Sequence, residues 1–468
     1  MKLKIPFFYD YVLPNMVLPN GLSPEYAMIL FQTSRFNTSG INQLEQYYSV
    51  FDNTLGGTLF NNQLGQLPNS NSNIHHNRDC YQEKIEILDD SVFAGRKRHL
   101  GYVYSIACTP HLEFFFGKSK SHTKVNGSYF WKNISNVVLD DVRSGRAIIL
   151  IDYAEENFLS KGEYEDLHEC LKDSNIPKDR IIFAFNTFNG EEVYNSWFTP
   201  EERRVTVKNW PYVIVNTSYH YSRNTNQYVS LEHFKQSRNT LRKNHFLFKV
   251  RRPRDHRLAM LSKLASDNHL HKGDWSCLTP VSIEYQFQYL EREFGITITP
   301  EILRDLDKQI PHTLESESSS EYNNVSAWTD KHPEAYKNSY LYICTETYMH
   351  EPHKSLTEKV FKPIVNLQPF IFIAYKGALK QLRDLGFKTF SPYIDESYDD
   401  IEDKGERFRQ AYDEIDRLLS MTIEELHDLY WKMEEILIHN QEHLLNIHRN
   451  EELSTDFFKF LHSQIPNR

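Results

Sequence analysis

The chain has no paired cysteines to build on. Its five, Cys80, Cys108, Cys170, Cys277 and Cys344, are widely separated, odd in number and free of any CxxC pair. That pattern excludes a disulfide framework and reads as reduced thiols in a cytosolic protein. A compact His/Cys/Asp grouping is also missing, so there is no reason to invoke structural zinc, while stimulation by a divalent ion stays open. No apolar run reaches the length of a membrane span. The opening MKLKIPFFYDYVLPNM is interrupted by Pro6 and Asp10, and is neither a convincing signal peptide nor an anchor. The expected location is therefore cytoplasmic, with peripheral membrane association left open. Cationic excess is absent as well: a formal net charge of -10 gives no general attraction to nucleic acid or an anionic bilayer, although local basic clusters can still bind phosphate.

What is present is material for folded cores. Aromatic residues make up 14% of the chain and hydrophobic residues 40%, over 468 residues, too many for the usual single core. Two main domains are expected, with boundaries at 1–239 and 240–400 and a C-terminal helical extension over 401–468. In the first, KLKIPFFYDYV, YAMILFQT, KIEILDDSVFA, HLGYVYSIACTP, HLEFFFGK, RAIILIDYA, RIIFAFNT and WPYVIVNT read as strands or strand edges. A helix before RIIFAFNT carries Tyr164, Leu167, Cys170 and Leu171 on one face. Residues 51–77 are rich in Asn, Gln, Gly and Ser and repeat at no fixed period; they predict a long loop, either an acceptor-binding flap or a surface insertion. Short strands followed by polar junctions give an α/β domain with an open sheet.

Those junctions supply candidate proton acceptors. Asp152, Glu155 and Glu156 follow the apolar run IILI, and Asn186, Asn189, Glu191 and Glu192 follow IIFAF. A carboxylate at a strand end facing a cleft can serve as a general base, but each also fits a solvated or helix-capping role.

The second half carries a sharper signal. In 241–264, LRKNHFLFKVRRPRDHRLAMLSKL, a strand, a turn and a helix with Asp255 as N-cap are expected. Arg242, Lys243, Lys249, Arg251, Arg252, Arg254 and Arg257 place seven cationic side chains in sixteen residues of an acidic protein. Guanidinium groups at a strand-to-helix junction suit a diphosphate, since each donates paired hydrogen bonds and the helix N-terminus adds amide donors. The same residues also fit a solvated basic rim.

Residues 340–390 complete the pattern. YLYICT and PFIFIA read as buried strands, KSLTEKVFKPIVNLQ as the crossover helix between them, and GALKQLRDLGF as a shorter helix ending at Gly386. Such a βαβ unit binds ligands beyond the carboxyl ends of its strands. Thr357, Glu358 and Lys359 stand in the helix's first turn, and Ser355 with Glu358 has capping-box spacing. Pro363 requires either a late helix start or a bend. Glu346, after the first strand, fits a ligand contact or a buried carboxylate held by local hydrogen bonds. Trp275 fits a core position or a base-stacking one. LESESSSEYNN predicts a mobile loop, and Thr422 with Glu424 and Glu425 a helix start.

LYICTETYMHEPHKSLTEKVFKPIVNLQPFIFIA resembles the donor-binding motif of the inverting fucosyltransferase family, which includes bacterial and animal alpha-1,3-fucosyltransferases and related phage and bacterial glycosyltransferases. Thr357, Glu358 and Lys359 stand at its Thr-Glu-Lys, Glu346 at its upstream acidic position, and FLFKVRRPRDHR resembles its preceding basic segment. The matches fall within 246–390, about a third of the chain. The resemblance implies an α/β, GT-B-like fold with two Rossmann-like domains facing a central cleft. It also implies transfer, with inversion, from a nucleoside diphosphate sugar, GDP-linked in that family, to an acceptor hydroxyl, with no cofactor or metal required. Arg252 and Lys359 would then contact phosphate, with Lys249, Arg251 and Arg254 beside them, and Glu346, Thr357 and Glu358 would contact the donor. Glu155 is the first choice of base, with Asp152 and Glu156 as rivals. A glycan, glycolipid, protein or modified base are all open as acceptor. Two alternatives remain from the residues themselves: a noncatalytic nucleotide-sugar sensor, and a nucleic-acid-binding protein with arginines on phosphates and aromatics on bases.

Overall fold

Parallel strands buried on both faces need near-continuous apolar sequence, and this chain supplies it twice. A computed structural model describes residues 5–8, 85–88, 101–107, 136–153, 159–172, 175–283, 286–314, 333–349, 354–449 and 451–465. The expected 51–77 loop, the 26–33 and 111–118 strands, Glu155, Glu156 and all but the first residue of LESESSSEYNN lie outside these residues. The chain divides into two compact units, Met1–Asn216 with Asn450–Arg468, and Thr217–Arg449.

The first unit is built on strands β1 (Ile5–Phe8), β2 (Ile85–Leu88), β3 (Tyr102–Ala107), β4 (Ala147–Asp152), β5 (Ile181–Phe185) and β6 (Thr206–Asn209). They form one sheet in the order β2-β1-β3-β4-β5-β6, with every neighbouring pair parallel. Ile149, Ile151, Phe183 and Phe185 pack against Tyr164, Leu167 and Leu171 of the helix Lys161–Lys172 and against Val138, Leu139 and Val142 of the helix Asn136–Arg143. The sequence therefore placed the buried face of the Lys161–Lys172 helix correctly at those three positions. At the other end of the chain, Phe457 of the helix Glu451–Gln464 stacks on fully buried Trp210, with ring centroids 4.5 Å apart.

One expected strand is a helix. WPYVIVNT enters the helix Tyr212–Arg223, whose residues from Tyr212 to Tyr219 are all buried. A short apolar run cannot distinguish a buried strand from a buried helix by periodicity. Pro211 stands immediately before the first helical residue, where its missing N–H costs nothing. The strand at this edge is instead the preceding Thr206–Asn209, too short and polar to be conspicuous.

The second unit holds β7 (Asn244–Val250), β8 (Gly273–Cys277), β9 (Ser339–Thr345) and β10 (Phe370–Ile373), in the order β10-β9-β7-β8 and again wholly parallel. All residues of β9 and β10 are buried. The helices Lys404–Leu419, Ile423–Lys432 and Glu434–Ile447 belong to this unit, so residues 401–468 are shared between the two. Gln441, buried on the last of these helices, donates to the carbonyls of Val229 and Val365 at 2.8 and 2.5 Å and ties three distant segments together. Thr422 does cap its helix, in a reciprocal capping box with Glu425. Two parallel α/β units are the construction expected of a GT-B-like fold with Rossmann-like domains. Among the described residues no helix is long and apolar enough to cross a membrane.

Candidate functional site

Strand order selects a place in the second unit. From β7 the chain runs to β8 on one side, and then crosses to β9 on the other, so the order reverses between β7 and β9. At such a reversal the connecting segments leave toward opposite faces and open a crevice outside the carboxyl ends of the two strands. β7 ends at Val250 and is followed by Arg251, Arg252, Pro253 and Arg254; β9 ends at Thr345 and is followed by Glu346. The topology thus brings to one strand pair two groups of residues that stand about ninety positions apart in sequence.

The turn after β7 is held from two sides. Thr279, just past β8, donates its hydroxyl to the Arg251 carbonyl at 2.7 Å, and Arg257 donates to the Arg252 carbonyl at 3.0 Å. The Arg251 and Arg252 side chains are exposed at the tip. Arg254 lies with its guanidinium carbon 4.7 Å from the centre of the Tyr348 ring, a cation–π contact between the β7 and β9 turns. Lys249 stands on β7 itself, its ammonium 5.5 Å from the centre of the Tyr336 ring. The helix Asp255–Ser266 has Arg254, not Asp255, at its N-cap position, with no side-chain cap bond. Asp255 is its first helical residue, where a carboxylate complements the positive end of the helix dipole.

Beyond β9, Glu346 is 2% exposed, and both its oxygens are engaged within the protein. Oε1 accepts from the Thr347 amide at 2.8 Å and the Thr357 hydroxyl at 2.6 Å, while Oε2 accepts from the Thr357 amide at 3.1 Å. Of its two sequence readings, the geometry corresponds to the buried carboxylate held by local hydrogen bonds. Thr357 is the N-cap of the helix Glu358–Val365, but its hydroxyl is turned to Glu346 and makes no cap bond. The Ser355–Glu358 capping box is therefore replaced by a tertiary contact. The late helix start expected from Pro363 is found, with the proline inside the helix at its sixth residue.

Lys359 donates to the Thr357 hydroxyl at 3.1 Å and to Glu358 Oε1 at 3.0 Å. Burial pushes the Glu358 carboxyl up, but Lys359 and Lys362 outweigh it and leave the group below its usual range. The Lys359 side chain stays partly exposed, at 27%, beside the more buried Glu358.

Sequence reading passed over the residues behind these turns. Arg257, 4% exposed, donates to the carbonyls of Thr345 and Glu346 at 3.4 and 3.1 Å as well as to Arg252, and its Nε has no partner among the described residues. Burial lowers its proton affinity, and Glu346 and Glu358 partly restore it. His256 Nε2 lies 2.8 Å from the same Glu346 carbonyl. Arg407 donates to the carbonyls of Ala374, Ile401, Glu402 and Met349, tying the turns after β9 and β10 to the segment before its own helix. Arg257 was visible only as one of seven cations, and Arg407 only as an arginine beside the apolar positions Phe408 and Ala411. Trp275 is 5% exposed and stacked on His312 at 4.1 Å, a core position.

The first unit presents less. Asp152 closes β4 between Ala107 of β3 and Ala184 of β5. Asn186 and Thr187 are buried just past β5, whereas Glu191 and Glu192 are exposed in the first turn of the helix Gly190–Trp197, Glu191 paired to Lys208 at 2.6 Å. Among the described residues no group of three or more His, Cys, Asp or Glu is arranged to hold a metal ion.

No family model matches the chain, and no curated protein matches it. Solved structures do. A UDP-forming alpha,alpha-trehalose-phosphate synthase from Burkholderia vietnamiensis is 14% identical, covering 83% of this chain and 80% of that one, with a TM-score of 0.36. A trehalose-6-phosphate structure from E. coli bound with UDP-2-fluoro glucose is 12% identical over 97% of this chain and 92% of that one, with a TM-score of 0.38. The N-terminal domain of Candida albicans trehalose-6-phosphate phosphatase is 11% identical over 99% and 98%, with a TM-score of 0.39.

Proposed function

We propose that the protein is a glycosyltransferase that moves a sugar from a nucleoside diphosphate sugar to an acceptor hydroxyl, with the donor held by the second unit. The observation that carries this reading is the convergence, at the β7/β9 reversal, of the Arg251, Arg252 and Arg254 turn with the Glu346-anchored segment of Thr357, Glu358 and Lys359. A diphosphate needs several donors and cations at one point, and this strand pair supplies guanidinium and ammonium groups together. The resemblance to inverting fucosyltransferases supports the finer choices of a GDP-linked donor and inversion.

In that reaction the acceptor oxygen attacks the anomeric carbon as the bond from that carbon to the diphosphate oxygen breaks, and the diphosphate leaves with the electron pair. Arg252 and Lys359 stabilise the charge that develops on it. A carboxylate of the first unit takes the hydroxyl proton, with Glu155 the first candidate and Asp152 and Glu156 the rivals. The acceptor class is a hydroxyl of a glycan, glycolipid, protein or modified base.

The test is a screen of GDP-, UDP-, ADP- and CDP-sugars by thermal stabilisation, followed by mass measurement of the products. A donor present at 100 times its Kd should stabilise the folded protein by about 2.7 kcal/mol. Arg252→Ala and Lys359→Ala should each weaken that donor by roughly 10- to 100-fold, as expected for loss of a charge-assisted hydrogen bond. A folded protein that responds to none of them overturns the reading. Tight binding without turnover makes the protein a nucleotide-sugar sensor instead, and salt-sensitive oligonucleotide binding places it in the other class.

A further inference from the structure

We propose that Glu346 is a positioning residue of the donor site and not a donor contact. Its carboxylate fixes Thr357 so that Lys359 is presented to the diphosphate, while Arg257 and His256 hold the Glu346 backbone from behind. The inference rests on the donor reading above and assigns a different role to one of that reading's residues.

The case begins with saturation. A carboxylate 2% exposed that already accepts from two amides and a hydroxyl has little left to offer a sugar. Direction matters next. The Lys359 ammonium, 3.1 Å away, can only donate, so the Thr357 hydroxyl accepts from it with a lone pair and turns its own O–H to Glu346 Oε1 at 2.6 Å. The Thr357 hydroxyl thus relays the position of Glu346 to Lys359.

The anchor itself is tied to the other half of the site. Arg257 bridges the Arg252 carbonyl at 3.0 Å and the Glu346 carbonyl at 3.1 Å. An unbroken series of contacts therefore runs from the Arg252 turn through Arg257, Glu346 and Thr357 to Lys359, joining segments that the sequence keeps apart. The pairing of Glu358 with Lys359 completes it, since Glu358 holds the ammonium in place until an anion replaces it.

Glu346→Gln tests the relay because the amide keeps the shape but puts a donor where one acceptor stood. The new N–H group must face either the Thr357 amide or the Thr347 amide and Thr357 hydroxyl. Calorimetry is run with whichever of GDP, UDP, ADP or CDP binds the wild type, and with the corresponding sugar nucleotide, after circular dichroism confirms folding. Glu346→Gln should weaken both ligands by the same factor, about 10- to 100-fold, because the lost contact is Lys359 to phosphate. Thr357→Val should do likewise, Thr357→Ser should recover most of that loss, and the double variant should be no worse than the weaker single one. A loss confined to the sugar nucleotide would make Glu346 a sugar contact and overturn the proposal, as would unchanged binding of both ligands in folded Glu346→Gln or Thr357→Val. If the wild type binds no nucleotide at all, the donor reading fails first and this inference falls with it.

Discussion

Strands β4 and β9 occupy comparable places, each with a parallel neighbour on both sides, β4 ending in Asp152 and β9 followed at once by Glu346. Their carboxyl ends are nevertheless different environments. β9 lies at the point where strand order reverses, against β7, and the residue after it is a carboxylate locked into a network that reaches two cationic segments. β4 lies inside a run of consecutively ordered neighbours, and Asp152 at its end stands between Ala107 and Ala184. In the first sheet the reversal falls between β1 and β3 instead. A charged residue at a strand end is therefore a weak indicator by itself, and strand order gives it meaning. The proposed donor side therefore rests on a network of contacts, and the proposed base only on its place at a strand end.

The largest effect expected from that difference is a separation of binding from turnover. If Glu155, Asp152 or Glu156 is the base, its amide variant should lower kcat by roughly 10²- to 10⁴-fold and leave donor affinity where it was. Lys359→Ala should move affinity and turnover together. Single-turnover kinetics beside donor calorimetry would read both quantities. An acidic variant of the first unit that weakened donor binding as strongly as Lys359→Ala would break the comparison, because it would place donor recognition in both units.

Much of the scaffold was legible because burial on both faces of a parallel sheet writes itself as apolar runs. IILI, IIFAF, YLYICT and FIFI all lie in strands, and the helix Glu358–Val365 starts late, one of the two outcomes expected from Pro363. The misreadings came from short segments. TVKN and GDWSC form strands with little apolar content, since ladder hydrogen bonds to stronger neighbours hold them. The site was legible as composition but not as wiring. Arginines and a Thr-Glu-Lys run drew attention to the proposed donor site, yet nothing local to Glu346 indicates that Thr357, eleven residues on, fills its oxygens. Nor does anything near Arg257 indicate that its donors go to backbone carbonyls ninety residues away.

A smaller effect would sharpen the comparison through stability. Trp210 is fully buried in the first unit, stacked on Phe457 and edge-on to Phe458 at 5.5 Å. Trp210→Ala should cost about 3–5 kcal/mol through lost burial and the cavity left behind. Hydrogen exchange can follow the loss unit by unit: peptides of β3–β6 should lose protection, while a donor should still stabilise those of β7 and β9. Equal loss of protection in the peptides of β7 and β9 would show that the two units do not unfold independently.

The smallest effect concerns charge within the donor site. Burial raises the Glu358 carboxyl, but Lys359 and Lys362 prevail, so its folded value lies below the ordinary 4.5. A carboxyl depressed on folding contributes stability that is complete above pH 4.5 and disappears as pH falls through the lower folded value. The contribution should not exceed about 1 kcal/mol, because Lys359 remains partly exposed and its pairing is screened. His168 and His448, both pushed down to about 4 by burial, also titrate on the way to acid, with a cost that grows from 6.5 downward. They are the same in wild type and Glu358→Gln, so they cancel in the difference. Denaturant titrations of the two proteins should therefore show a gap that is constant above pH 4.5 and closes below it. A gap that opened toward acid instead would mean that Glu358 is protonated more readily in the fold than in the unfolded chain, and would rule out its pairing with Lys359.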